Sequence, residues 1–403
     1  KINYQATFAA QLMYPMVDTY EVMPWPDRIY QGLYRIAGTD QKERIPRSYS
    51  TQMQTMVNTL NDIRTSDKKI TGTQGIGVLM ANSLMFQRFP NHNGYDDPQF
   101  SSFYGQTLPL LKRGIPVELV HMENTPFKET FKGLHILVMS YSNMKPMKPE
   151  YHNYLADWVK KGGILIYCGE DIDPYQTVLE WWNTDGNEYK APSEHLFEKM
   201  NLSRNPGEGT YRYGKGTVIV MREDPKHFVL KAGNDQKYFE TIASAYQKKQ
   251  GIEIETKNSF IVERGPYTIA AVMDESVSKE PLTLSGLYID LFDKDLPVLT
   301  SKQIQPGEQG YLYDLNKVSG KIKAKVLCGA SRIYDEKVSK QSYSFVAKSP
   351  INTTNVSRVL LPRKPEKIRV NGKEEQPEWD ESSKTLLLSF ENDPAGVNVS
   401  IEW

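Results

Sequence analysis

The sequence predicts a multidomain protein, α/β plus all-β, with the α/β part first. Three observations carry that prediction. At 403 residues the chain exceeds what one ordinary hydrophobic core organises, so several folding units are expected. Between about residues 74 and 250, near-continuous apolar runs alternate with segments of helical period, the pattern of strands buried on both faces of a parallel sheet. After about residue 255 the helical period disappears, and short β-prone runs follow one another between Gly, Pro, Asn, Asp and Lys.

Taken in order, residues 1 to about 67 read as strand, loop, helix. "PMVDTYEV" is a β-prone run closed by Pro24-Trp25-Pro26, and Met53, Met56, Val57, Leu60 and Ile63 recur at helical spacing. One strand-helix unit cannot bury both of its faces, so this one is expected to belong to something larger. Four buried strands follow: "GIGVLMA" (75–81), "PVELVHM" (116–122), "LHILVMSY" (134–141) and "GGILIYCG" (162–169). The helices between them stop at Gly114 and Gly162. "YGKGTVIVMRED" (213–224) is a returning strand and "QKYFETIASAYQKKQ" (236–250) a closing helix, which completes an open, doubly wound α/β domain. From "SFIVERGPYTIAAVMDES" to "VNVSIEW" the spacing suits one or two β-sandwiches. The expected domains are 1–70, 71–254, 255–328 and 329–403.

Composition excludes more than it identifies. Lys+Arg and Asp+Glu both number 49, so no global field draws nucleic acid or an anionic membrane surface. No run of 18 apolar residues is present, so no membrane span is expected. Cys168 and Cys328 stand 160 positions apart, each in an apolar strand-like run, which predicts buried free thiols rather than a disulfide framework. Two cysteines suit either compartment. A chain beginning at Lys1 leaves export open, and a periplasmic or exported location is expected over a cytoplasmic one.

The stretch "YEVMPWPDR" (20–28) has the composition of a site. In a (β/α)8 barrel the loops after the strands form the active face, which would turn Tyr20, Glu21, Trp25, Asp27 and Arg28 towards substrate. Two flanking prolines of fixed φ make Trp25 a stiff, flat platform for a sugar ring. Glu21 is the candidate catalytic carboxylate, because glycoside hydrolysis uses two carboxyls flanking the bond. The competing reading pairs Glu21 with Arg28 or another residue and makes Trp25 a packing plug. Cys168, in "IYCGED", stands where a nucleophile on a sharp turn could sit; His195 and His227 lie downstream but in no signature that specifies a partner. A buried strand-end thiol is the expected reading. "GTQGIG" (72–77) precedes its strand instead of following it, so it is a linker and no dinucleotide site. The six histidines show no metal spacing, and "YDD" (95–97) and "EDID" (170–173) match no calcium loop. No metal and no cofactor are expected.

The order of parts resembles the C-terminal half of barrel glycoside hydrolases of the family 42 β-galactosidase kind. The resemblance rests on the aromatic loop, on "GLYRIAGTDQKERIPRSYSTQMQTMVNTLNDI", where Asp40, Arg44, Arg47 and Tyr49 are similar to a family motif after strand eight, and on the runs of the middle domain. It implies a residual barrel β-α unit, a doubly wound amidotransferase-like α/β domain of the trimerisation type, and C-terminal β-domains. It also implies retaining hydrolysis of a glycan or oligosaccharide, a carbohydrate partner and a homo-oligomer, in that family a trimer. In such enzymes the acid/base Glu follows strand four and the nucleophilic Glu follows strand seven. Both positions are expected upstream of Lys1, so the main catalytic pair is expected outside this sequence. Around Cys168 the chain reads Y-C-G-E with no H-x-E pair, so amidotransferase chemistry is expected to be absent. The alternative from another class is a non-catalytic carbohydrate-binding or oligomerisation module.

Overall fold

The computed structural model describes residues 2–14, 16–21, 26–65, 68–69, 73–88, 97–318 and 323–403. The chain forms two compact units, one of residues 72–258 with 275–278, the other of residues 1–71, 259–274 and 279–403.

The first of these is built on a six-stranded sheet in the order Glu118–His121, Ile76–Met80, Ile136–Met139, Ile164–Cys168, Gly216–Met221, Gly209–Tyr213. Five strands are parallel and the last is antiparallel. Successive side chains point to opposite faces, and both faces are covered. Leu137, Met139, Leu165 and Tyr167 pack with helices Tyr151–Lys160 and Pro192–Lys199. Ile136, Val138, Ile164, Ile166 and Cys168 pack with Leu110 of helix Ser101–Leu111 and with Tyr238 and Ile242 of helix Gln236–Gln250. That second helix ends on Gly251, which takes the left-handed φ of 76° that an L side chain resists and returns its N–H to the Gln247 carbonyl. The expected doubly wound domain is present, with its strands where the apolar runs lie.

The other unit contains three larger antiparallel sheets. Six strands run in the order Val298–Ile304, Leu282–Asp290, Gln309–Asp314, Tyr267–Val272, Ser259–Arg264, Lys68–Lys69. Helices Ile2–Met13 and Arg47–Thr65 lie on this sheet, through Phe8, Leu12, Met56 and Ile63 against Tyr267, Ile269, Ile289 and Tyr311. The remaining two sheets, of four and five strands, face each other as a sandwich. Its core joins Val359, Leu386 and Leu388 on one side to Tyr343, Phe345, Ile368, Val399 and Ile401 on the other. Strand Lys325–Gly329, which crosses the expected boundary at 328, pairs with Thr354–Leu360 and so belongs to the four-stranded sheet.

Two departures from the sequence reading concern the first twenty residues. "INYQATFAAQLM" forms a helix that was not anticipated, although it is rich in good helix formers and buries Phe8, Ala9 and Leu12 on one face. The strand expected over "PMVDTYEV" is not formed among its described residues, 16–21. The Tyr20 hydroxyl donates to the Val17 carbonyl at 2.7 Å, a closure across three residues that an extended strand does not permit. Of the expected β-α unit, the helical half is therefore formed and the strand half is not. Pro24 and Trp25 lie outside the described residues.

Gly105 lies inside helix Ser101–Leu111, where alanine is intrinsically better by about 1 kcal/mol. A Cβ there would stand 1.8 Å from the Pro225 carbonyl oxygen. The neighbour is backbone, so relief needs the chain at Pro225 to move, a strain of about 1–3 kcal/mol or more that exceeds the propensity gain. Gly105→Ala is expected to lower the thermal midpoint, measured by calorimetry; a raised midpoint would contradict this packing.

Candidate functional site

The site expected from sequence begins at a buried cation. Arg264, at the end of strand Ser259–Arg264, is wholly buried. A guanidinium cannot be left without acceptors away from water. Arg264 donates to the Leu12 carbonyl at 3.3 Å, to the Val17 carbonyl at 2.8 Å and to the Tyr20 hydroxyl. Leu12 belongs to the last turn of helix Ile2–Met13, whose carbonyl end carries the negative end of the helix dipole. The cation thus fixes the chain up to the residue before Glu21. Glu21 itself is exposed and has no ion-pair partner among the described residues.

Asp27 and Arg28 open the short helix Asp27–Tyr30, and both are exposed. The Arg28 carbonyl accepts the Tyr34 hydroxyl at 2.6 Å, and the buried Tyr30 hydroxyl takes the Gln54 side-chain amide. Tyr20 with Glu21 and Asp27 with Arg28 are therefore each anchored, on either side of a connection that includes Trp25. The residues behind the family resemblance do not converge. Asp40 pairs with exposed Arg35, Arg47 reaches Glu391 at 2.6 Å, and Arg44 is exposed on a two-stranded ribbon.

In the unit of residues 72–258, chemistry-bearing side chains collect at the carboxyl ends of the parallel strands, where open α/β sheets take their ligands. Here they bond to one another. The Ser142 hydroxyl donates to Asp224 at 2.6 Å and lies 3.0 Å from the Ser140 hydroxyl; Asp224 also accepts the Glu170 N–H at 3.0 Å. Asp171 accepts Arg222 at 2.8 Å, Ser193 at 2.7 Å and the Tyr167 hydroxyl. Burial pushes the Asp171 carboxyl up, against the opposing pull of those hydrogen bonds and of Arg222. Lys145 donates to Asp173 at 2.7 Å and to the Tyr141 carbonyl at 2.6 Å, with both charged side chains only 3% exposed. Burial draws the Lys145 ammonium down, and Asp173 is the chief influence holding it up. Between strands Ile76–Met80 and Ile136–Met139, the point where strand order reverses, the Ser83 hydroxyl donates to the Lys145 carbonyl and the Ala81 N–H meets Met144 Sδ at 3.2 Å. The described polar groups at the crevice are thus bonded to one another.

Cys168 is fully buried, and burial pushes its thiol above the ordinary range, with Glu223 and Asp224 adding to the effect. It is the inert strand-end thiol that the sequence suggests. His195 bonds to His152 and not to this cysteine; His227 starts a four-residue helix. The pairs Lys145–Asp173 and Ser142–Asp224 leave no local spacing signal in the sequence, since their partners stand 28 and 82 positions apart. No group of three or more His, Cys, Asp or Glu suited to a metal occurs among the described residues, and none of their helices is long and apolar enough to cross a membrane.

No family model matches the chain, and no curated protein matches it. Solved glycosidases show a distant likeness. A catalytic mutant of Gan42B, a GH42 β-galactosidase from G. stearothermophilus, is 11% identical with a TM-score of 0.34, over 60% of this chain and 40% of that one. The β-galactosidase of the haloarchaeon Halorubrum lacusprofundi is 13% identical with a TM-score of 0.37, over 64% and 42%. A rhamnosidase from Novosphingobium sp. PP1Y is 10% identical with a TM-score of 0.33, over 90% and 37%. The chain spans about two fifths of the length of these structures. At such scores the likeness is one of partial architecture, and the functional reading rests on the residues.

Removing one partner of a buried ion pair strands the other charge, at a cost of about 3–5 kcal/mol. Lys145→Met is expected to lose that much stability in denaturant unfolding. Adding Asp173→Asn, which keeps an acceptor for the Tyr175 N–H, is expected to recover most of it. Additive losses would show that the two charges act independently. Cys168 is expected to resist alkylation until the protein unfolds; rapid native labelling would contradict its burial.

Proposed function

We propose that the chain belongs to a carbohydrate-acting glycosidase that hydrolyses O-glycosidic bonds, of β-galactoside type, in a glycan or oligosaccharide. Tyr20, Glu21, Trp25, Asp27 and Arg28 are its sugar-facing wall. The observation that carries this reading is Glu21, an exposed carboxylate without an ion-pair partner among the described residues, held beside a segment that the buried Arg264 immobilises. A carboxylate kept in place but uncommitted can accept sugar hydroxyls or act on the bond, whereas one locked in a salt bridge cannot. Trp25, between two prolines, offers a ring face. Retaining hydrolysis requires two carboxyls about 5 Å apart. In this reading Glu21 is a wall carboxylate in contact with substrate.

The internally bonded crevice of residues 72–258 favours a second role for that unit. A doubly wound domain whose strand ends are closed by Lys145–Asp173 and Ser142–Asp224 offers a rigid body without a ligand cleft at that edge. Its role in this reading is assembly, of a homo-oligomer such as a trimer. A chain that binds sugar without hydrolysing it would make the whole protein a non-catalytic carbohydrate-binding or oligomerisation module.

Steady-state hydrolysis of a nitrophenyl β-galactoside by the full-length protein, with sugar binding by calorimetry, separates these readings. A ring-stacking contact is worth about 0.5–1.5 kcal/mol, so Trp25→Ala is expected to raise KM roughly 2- to 12-fold. Loss of a charged hydrogen bond, about 1.5–3 kcal/mol, is expected to lower kcat/KM of Glu21→Gln roughly 10- to 150-fold. Unchanged kinetics in both variants would remove this wall from the site; binding without turnover in the wild type would favour the non-catalytic module.

A further inference from the structure

Beside this crevice, and independent of the sugar wall, three side chains form a chain of hydrogen bonds with no evident structural necessity. The Tyr141 hydroxyl lies 2.6 Å from His152 Nε2, and His152 Nδ1 lies 2.8 Å from His195 Nδ1. His152 is wholly buried at the start of helix Tyr151–Lys160. His195, half-buried, belongs to helix Pro192–Lys199, where Trp181 and Tyr189 meet its ring edge-on at centroid distances of 5.2 and 5.3 Å. Trp181 in turn donates its indole N–H to the Pro146 carbonyl at 2.9 Å.

Two imidazole Nδ1 atoms at that separation share one proton: one donates and the other must offer a lone pair. In the neutral pair Tyr141 donates to His152 Nε2, so His152 carries its proton on Nδ1 and donates it to His195. A first added proton can be accepted at His195 Nδ1 if the chain reverses. His152 then carries its proton on Nε2 and donates to Tyr141, whose own O–H turns towards Met122 Sδ, 3.9 Å away. A second added proton has no such solution, because two N–H groups would face each other. We infer that Tyr141, His152 and His195 are an acid-released latch, which holds helix Pro192–Lys199 and the preceding segment 175–191 against the end of strand Ile136–Met139 while the histidine pair carries at most one extra proton.

The surroundings oppose that second proton. Both histidines lie near helix N-termini, whose dipoles disfavour a cation. Lys199 faces both rings and holds their proton affinity down, after burial itself. On the other side, Tyr167 and Asp171 face Tyr141; Asp171 is already committed to Arg222 and Ser193. Glu198 favours a charged His195, but its carboxylate is engaged by the Tyr189 hydroxyl and lies 3.6 Å from Arg204. Glu194 is bonded to the Lys190 N–H at 3.0 Å. The sign follows: with proton affinities below the ordinary imidazole value, closure is complete above about pH 6.5 and weakens as pH falls beneath it.

Hydrogen exchange on the purified protein, corrected for the intrinsic effect of pH, tests the latch. Between pH 8 and pH 5, amides of 175–191 and of helix Pro192–Lys199 are expected to lose at least about tenfold protection relative to strand Ile164–Cys168, since one withheld proton changes an opening constant by up to about tenfold per pH unit. His195→Gln is expected to remove that pH response while keeping protection at pH 8. Loss of protection in step with the strand, or the same response in His195→Gln, would overturn the proposal. If that variant is unfolded at pH 8, imidazole nitrogen spectra of the wild type decide. Two neutral rings sharing one Nδ1 proton are expected at pH 8, and folded protein with both rings cationic at pH 6 would overturn the latch.

Discussion

A charge removed from water must find its acceptors inside the protein, and in each unit this constraint determines what the surrounding chain does. Arg264 has no carboxylate among its hydrogen-bond acceptors in the described residues. It takes two carbonyls and a hydroxyl, and those acceptors all belong to the segment Leu12–Tyr20. Beyond the helix one carbonyl, that of Val17, is taken by both the guanidinium and the Tyr20 hydroxyl, and no ladder forms over the described residues 16–21. In the other unit Lys145 and Asp173 join the turns after two neighbouring strands. Asp173 there caps the turn at Pro174–Thr177 through the Tyr175 N–H while also accepting Lys145 and Gln176. Every lone pair in use is one not offered to a ligand.

The same constraint separates what could be read in the sequence from what could not. Ile136–Met139 and Ile164–Cys168 are buried on both faces, so their apolar runs are continuous and visible without knowledge of their partners. Helix Arg47–Thr65 is legible from Met53, Met56, Val57, Leu60 and Ile63, of which Met53, Met56 and Ile63 are buried and Val57 and Leu60 partly so. Its polar face was misleading, since Ser50, Thr51, Gln52, Thr55 and Thr59 are buried as well. Thr51 donates to the Thr354 carbonyl and Asn58 to the Gly329 carbonyl, both at 2.9 Å, so hydroxyls and amides satisfy sheet edges across roughly 300 positions of chain. A hydrophobic period cannot report such contacts.

For Val17, Thr19 and Tyr20, local propensity pointed to a strand and lost to one distant side chain. β-Propensity measures fit to a half-buried pleated surface, and it is overridden when a buried cation requires the backbone carbonyls. The helix Ile2–Met13 supplies the counterpart. Its carbonyl end becomes useful only because Arg264 is there to be neutralised, a relation spanning about 250 residues. Local composition drew attention to Glu21, Asp27 and Arg28, while the contacts that hold the residue before Glu21 come from Arg264, wholly outside the local sequence.

The carboxylates at the strand ends and Glu21 differ in a way that bears on function. Asp173 and Asp224 are buried, Asp171 is partly so, and each is satisfied by two or more donors, so their energy is already spent on stability and shape. Glu21 is exposed, has no ion-pair partner among the described residues, and follows a residue that Arg264 holds. Catalytic and binding groups need that combination, since an anchored backbone lowers the ordering cost of binding and a free carboxylate supplies the interaction. A cluster rich in charged groups but internally closed is a structural joint, whereas a single uncommitted carboxylate on an immobilised segment is the better candidate for a site.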